Sequence, residues 1–151
     1  MTREWASPTW PAAPPPAVGD GWSWSLAHVA ELPRVRSGLR RLLVQALDTG
    51  TRPVDTADSS ELVDRVVLAL DEMASNALRH GGPGATATVS AHGDCWLVEV
   101  RDSASAHPPA PAIGRDPALG GLGLHLIAEM SVAHGWHPES AAKVVWALLP
   151  R

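Results

Sequence analysis

One cysteine, one lysine and no phenylalanine or tyrosine occur in the 151 residues of this chain. Cys95 has no partner for an internal disulfide, so stability must come from a hydrophobic core, and a reducing cytoplasm suits the chain. No run approaches the ~18 unbroken apolar residues of a membrane span, so no membrane partner is expected. The first twenty residues carry Arg3 and Glu4 but no apolar h-region, and do not read as a secretory signal. Excess positive charge is missing too. Twelve Lys and Arg stand against 16 Asp and Glu, a net charge of −4, which argues against a nucleic-acid partner. The seven histidines include no pair at i,i+4 on one helix, so a histidine metal site is not expected. What remains, 45% of it hydrophobic, has the length and composition of one globular domain.

Residues 1–20 hold Pro8, Pro11, Pro14, Pro15 and Pro16 among Ala, Thr and Ser. Proline fixes φ and removes a backbone donor, so this stretch reads as an extended, disordered arm, with the domain proper over residues 21–151. Trp22, Trp24 and Leu26 alternate with small residues, the period of a strand with one buried face. Pro33 suits the first turn of a helix to about Asp48, with Val35, Leu39, Leu42, Leu43 and Ala46 on one stripe. A second helix spans about Ser60–Arg79 and places Leu62, Val63, Val66, Val67, Leu70, Met73, Ala74, Ala77 and Leu78 in one arc, until Gly81–Gly84 stop it. Two strands follow, about Ala85–Ala91 and Cys95–Arg101, around the tight turn at Gly93. Residues 103–120 form a long Pro-, Ala- and Gly-rich loop. A helix over Leu122–Met130 and strands near Ser131–Trp136 and Lys143–Leu149 close the chain. This order predicts an α+β two-layer sandwich, one mostly antiparallel sheet with about three helices on one face.

Three groups of residues could carry chemistry. Glu72 and Asn76 fall one turn apart beside the apolar arc of the long helix. An amide oxygen is a hard ligand suited to Mg²⁺, and a carboxylate can orient or deprotonate a nucleophile. Asp102 ends a strand where the long loop begins, and a carboxylate there can accept a hydrogen bond from an exocyclic amine. Gly120, Gly121 and Gly123 open a helix, where backbone can approach phosphates and free N–H groups point outward. Singly, each has a commoner bland reading: a solvated helix flank, a turn-capping Asp, a flexible helix entry.

Their order is more specific. Glu72-Met73-Ala74-Ser75-Asn76, then Arg79-His80-Gly81, then Asp102, then Gly121-Leu122-Gly123-Leu124 resembles the GHKL ATPases. Within that family the likeness is to the anti-sigma-factor serine/threonine kinases of bacterial partner switching and their short actinobacterial relatives. Lys143-Val144-Val145-Trp146 looks like that subgroup's closing strand. The resemblance implies a Bergerat-type ATP pocket with ATP and Mg²⁺ as cofactors. It makes Asn76 the metal ligand, Glu72 the general base and Asp102 the reader of adenine. Gly120, Gly121 and Gly123 become the phosphate cradle, Arg79 a further nucleotide-binding residue, and residues 103–120 a lid that is mobile without ligand. It implies a protein partner, a sigma factor or an anti-sigma-factor antagonist, and leaves a homodimer open. In one respect the chain departs from the family. Where the family has Asp-x-Gly-x-Gly, it reads Asp102-Ser103-Ala104-Ser105-Ala106, and an added methyl costs room for close backbone approach. Two functions therefore compete: a protein kinase, and a nucleotide-dependent partner-binding module that has lost phosphotransfer.

Overall fold

Trp22, Trp24 and Leu26 lie on the inner side of strand β1 (Gly21–Leu26), with Leu26 in the core and both tryptophans packed against it. A 3₁₀ turn, Val29–Glu31, leads into α1 (Leu32–Asp48). The Glu31 carboxylate accepts the backbone N–H groups of Ala27 and His28, 3.0 Å each. Helix α2 (Thr56–His80) follows, then β2 (Ala85–His92), β3 (Cys95–Asp102), α3 (Leu122–Met130), β4 (Ala133–Pro138) and β5 (Lys143–Pro150). The computed structural model describes residues 10–48, 56–103 and 122–151.

The five strands form one sheet in the order β1-β2-β3-β5-β4, antiparallel at every step. Strand alternation divides the sheet into two faces. Ala85, Ala87, Val89, Val98, Val100, Val145, Ala147 and Leu149 share one face and join the core formed with α1, α2 and α3. Leu39, Leu43, Leu70, Met73, Leu124 and Ile127 supply the helical half and are essentially sealed from solvent. Fully burying a side chain of this size is worth about 1.5–3 kcal/mol, so this layer dominates stability. Arg36–Asp71 and Arg40–Asp64 tie α1 to α2 across their exposed flanks, each adding about 0–1 kcal/mol. The architecture is the expected α+β two-layer sandwich.

Between β2 and β3 the sequence expects a tight turn, and Gly93 takes φ +57° in a two-residue loop closed by the His92–Cys95 pair. A glycine at the first central position suits such a hairpin. At the end of α2, Gly82 and Gly84 adopt φ +89° and +78°, which ends the helix abruptly.

The opposite face of the sheet is crossed by backbone from residues 10–20, part of the stretch that reads from sequence as a disordered arm. Trp136 donates its N–H to the Pro11 carbonyl and accepts from Ala13 N–H, both at 2.9 Å. Trp146 donates its indole N–H to the Ala13 carbonyl at 2.9 Å. Further along, the Ala17 carbonyl lies 3.1 Å from His92 Nδ1, and Ala91 N–H donates to Asp20. Proline loses its donor but keeps its carbonyl, so an extended Pro-rich chain can still accept from an edge strand. Trp10 anchors it, buried edge-on against His134. Residues 1–9 lie outside the described residues.

Candidate functional site

Helix α2 carries two of the expected residues on the border of its apolar arc. Met73, Ala74 and Ala77 are buried, and Glu72 and Asn76 beside them are half-buried rather than solvated. Glu72 turns its carboxylate onto the first turn of α3. A Cβ at Gly123 would lie 2.5 Å from the Glu72 Cδ and 2.6 Å from its Cγ, so the carboxyl fits because residue 123 has no side chain. Burial pushes the Glu72 carboxyl above the ordinary range, the neighbouring Asp71 charge adds to this, and Arg79 opposes it. A carboxyl raised by burial has the poise of a proton acceptor. Asn76 stands one turn further along α2, and Arg79 is exposed near the helix end.

At the far end of α2 a second cluster forms around Asp102. Asp102 closes β3 directly opposite Lys143, which opens β5. Both residues are 5% exposed, and Nζ lies 3.6 Å from Oδ2. By alternation they share the helix-covered face with Val100 and Val145. Gly81 seals them from above: a Cβ there would sit 2.5 Å from the Asp102 Cγ and 2.7 Å from the Ala77 carbonyl oxygen. The chain beyond Asp102 is pinned to the same glycine, because Ser103 donates both its N–H, at 3.1 Å, and its hydroxyl, at 2.9 Å, to the Gly81 carbonyl. Those two bonds hold the chain where the expected lid begins.

The nine steps along the chain from Glu72 to Gly81 separate the clusters by about 13 Å along the helix axis. Of the expected residues, the fold sets Glu72 against the first turn of α3, with Asn76 one turn along α2, and seats Asp102 beneath Gly81 at the end of that helix. It also brings Gly123 to Glu72. Gly121 and the remainder of the expected lid, residues 104–120 with Gly120 at their end, lie outside the described residues. Lys143 was not singled out by the sequence; a lysine opening an otherwise apolar strand was the visible signal. An open cavity of about 530 Å³ lies elsewhere, between Arg36, Arg40, Val44 and Val67, and includes none of these groups.

The donor set fits a nucleotide and its metal. Asn76 and Glu72 offer hard oxygens, the absent side chains at Gly81 and Gly123 make room for the Asp102 and Glu72 carboxyl groups, and Asp102 supplies a carboxylate acceptor. Residues 27–148 match the family model of the histidine kinase-like ATPase domain. The chain belongs to that family. No curated protein matches it. Membership in the histidine kinase-like ATPase family supports ATP binding, and the helix-and-sheet arrangement above is the frame that would carry it. Among the described residues no helix is long and apolar enough to cross a membrane.

Proposed function

We propose that the chain is an ATP- and Mg²⁺-binding regulatory protein that phosphorylates a serine or threonine of a protein partner, an anti-sigma-factor antagonist, or holds a sigma factor. The observation that carries the reading is the Glu72 carboxylate seated on the first turn of α3 at Gly123. It joins the candidate base to the helix whose entry, by resemblance, cradles phosphates. Bound there, ATP would supply the transferable phosphoryl group and Mg²⁺ would offset its charge. Asn76 would hold the metal by its amide oxygen, with phosphate oxygens completing the shell, as Mg²⁺ prefers. Asp102 would accept from the adenine amine. Glu72 would take the proton of the partner's hydroxyl, and positioning supplies much of the remaining rate.

Single-turnover transfer to a purified antagonist tests this. Positioned general-base catalysis is worth about 10²–10⁴-fold, so Glu72→Ala should lose that much turnover while ATP affinity, followed by calorimetry, is retained. Glu72→Ala as active as wild type would overturn the role of Glu72. A specific feature favours a second reading: Ala104 and Ala106 stand where the family has glycine. On that reading the chain is a nucleotide-gated partner-binding module, and wild type transfers nothing to any antagonist while Mg·ATP still alters partner affinity.

A further inference from the structure

Four of the twelve basic residues of this chain, Arg34, Arg36, Arg40 and Arg41, stand close together on α1, and no Asp or Glu occurs between Leu32 and Leu47 to offset them. In a chain of net charge −4 this is a local reversal of sign. It coincides with the open cavity of about 530 Å³ between α1 and α2. Val67, a core residue, and Val44, 45% exposed, give that groove an apolar strip. Arg36, Arg40 and Arg41 line it too. Arg36 and Arg40 reach Asp71 and Asp64 of α2 in exposed ion pairs, which are weak and can exchange partners. Arg41 is in no ion pair among the described residues. A second observation lies at the groove's rim. Gly38 sits inside α1, where glycine is destabilising relative to alanine, yet a Cβ there would meet nothing within 4 Å. No packing inside the described chain requires that glycine. At 100° per residue it falls beside Gln45, a lining residue, where bare backbone allows another element to approach closely.

We propose that this groove docks an acidic amphipathic helix of a protein partner, which sets an aliphatic side chain on Val44 and Val67 and turns carboxylates to Arg36, Arg40 and Arg41. Charge complementarity selects the sign of the partner. The apolar strip selects an amphipathic segment, and two adjacent helices form a trough into which the side chains of a third can interdigitate. Arginine suits the role because its planar guanidinium can meet a carboxylate with two parallel N–H donors. Glu72, Asn76, Asp102 and Gly123 take no part in the groove, so docking there stands apart from the nucleotide reading.

Two synthetic helical peptides test the proposal, one of Glu, Ala and Leu with Leu along one face, the other with Lys in place of every Glu. Each is titrated into the nucleotide-free full chain and followed by amide NMR. The acidic peptide should move Ser37, Gly38, Arg41, Val44 and Gln45, and the basic one should not. Its affinity should fall steeply between about 0.01 M and about 1 M salt, as the screening length shrinks from about 30 Å to about 3 Å. Arg41→Gln should weaken binding about tenfold, the worth of a hydrogen-bonded charge, without lowering the melting temperature, since Arg41 is exposed. Arg101→Gln, an equal loss of charge on the opposite face of the sheet, should leave the affinity unchanged. Equal binding of both peptides, no movement on α1 with the acidic one, or equal losses in the two variants would overturn the proposal. The wild-type comparison of the two peptides requires no variant to fold.

Discussion

At one end of the candidate site, the proposed base end, the charged groups come from strand termini; at the other, the proposed phosphate end, the polar side chains come from α2 and lie against the first turn of α3. Asp102 and Lys143 are held by the register of β3 and β5, which pairs every residue from Cys95 to Asp102, and both are almost fully buried. Glu72 and Asn76 are half-buried on α2, and the helix that Glu72 meets, α3, is nine residues long and anchored by Leu124 and Ile127. A hydrogen-bonded ladder fixes a side chain more tightly than the packing of a short helix does. The strand end is therefore preorganised, and on the proposed function the helical end would adjust when a triphosphate and a metal arrive. Recognition is assigned to the rigid end and chemistry to the adjustable one.

Breaking one end at a time separates the two. Asn76→Ala removes the amide oxygen expected to hold the metal, so Mg·ATP affinity should fall about tenfold to a hundredfold. Mg²⁺-free ADP affinity and melting temperature should hold, and calorimetry with scanning fluorimetry reads all three. An equal loss for ADP without metal would take Asn76 out of the phosphate end.

Methyl insertion compares rigidity directly. In Gly81→Ala the new Cβ meets the Asp102 carboxyl carbon and the Ala77 carbonyl oxygen at 2.5 and 2.7 Å. Neither can yield without disturbing a strand end or a helix, so a cost of about 1–3 kcal/mol is expected, read as a lowered denaturation midpoint. In Gly123→Ala the methyl meets only Glu72 side-chain atoms from Cγ outward and no backbone among its nearest atoms, and that side chain can rotate away, so the cost should be under about 1 kcal/mol. A reversed order would mean that the helical end is the rigid one.

The smallest effect is in pH. Because burial and Asp71 raise the Glu72 carboxyl, the base is ionised and active above that raised value and is lost as pH falls through it. The acid limb of the rate profile should therefore lie higher than for an ordinary carboxylate. Arg79 opposes the rise, so Arg79→Ala should move the limb to still higher pH. An unmoved limb would show that some other group titrates.

The elements were legible because their periods are strong. The α2 arc from Val63 to Ala77 buries as its 3.6-residue spacing requires, and β1 alternates as written. What escaped is long-range. That Gly81, Asp102 and Lys143 meet depends on the β3–β5 register and on where α2 stops, neither of which is local information. The course of residues 10–20 escaped for a different reason. Proline content suggests a free arm, yet carbonyls that find an edge strand and one buried tryptophan, Trp10, lay it on the sheet.

The central claim is that one adenine nucleotide spans both ends. An amide NMR titration of wild type with Mg·ATP tests it most directly, because Gly81, Asp102 and Gly123 report on the two clusters separately. The account predicts that all three resonances move along a single binding curve, with inosine triphosphate much weaker. Movement at one end only, or two curves with different midpoints, would contradict it.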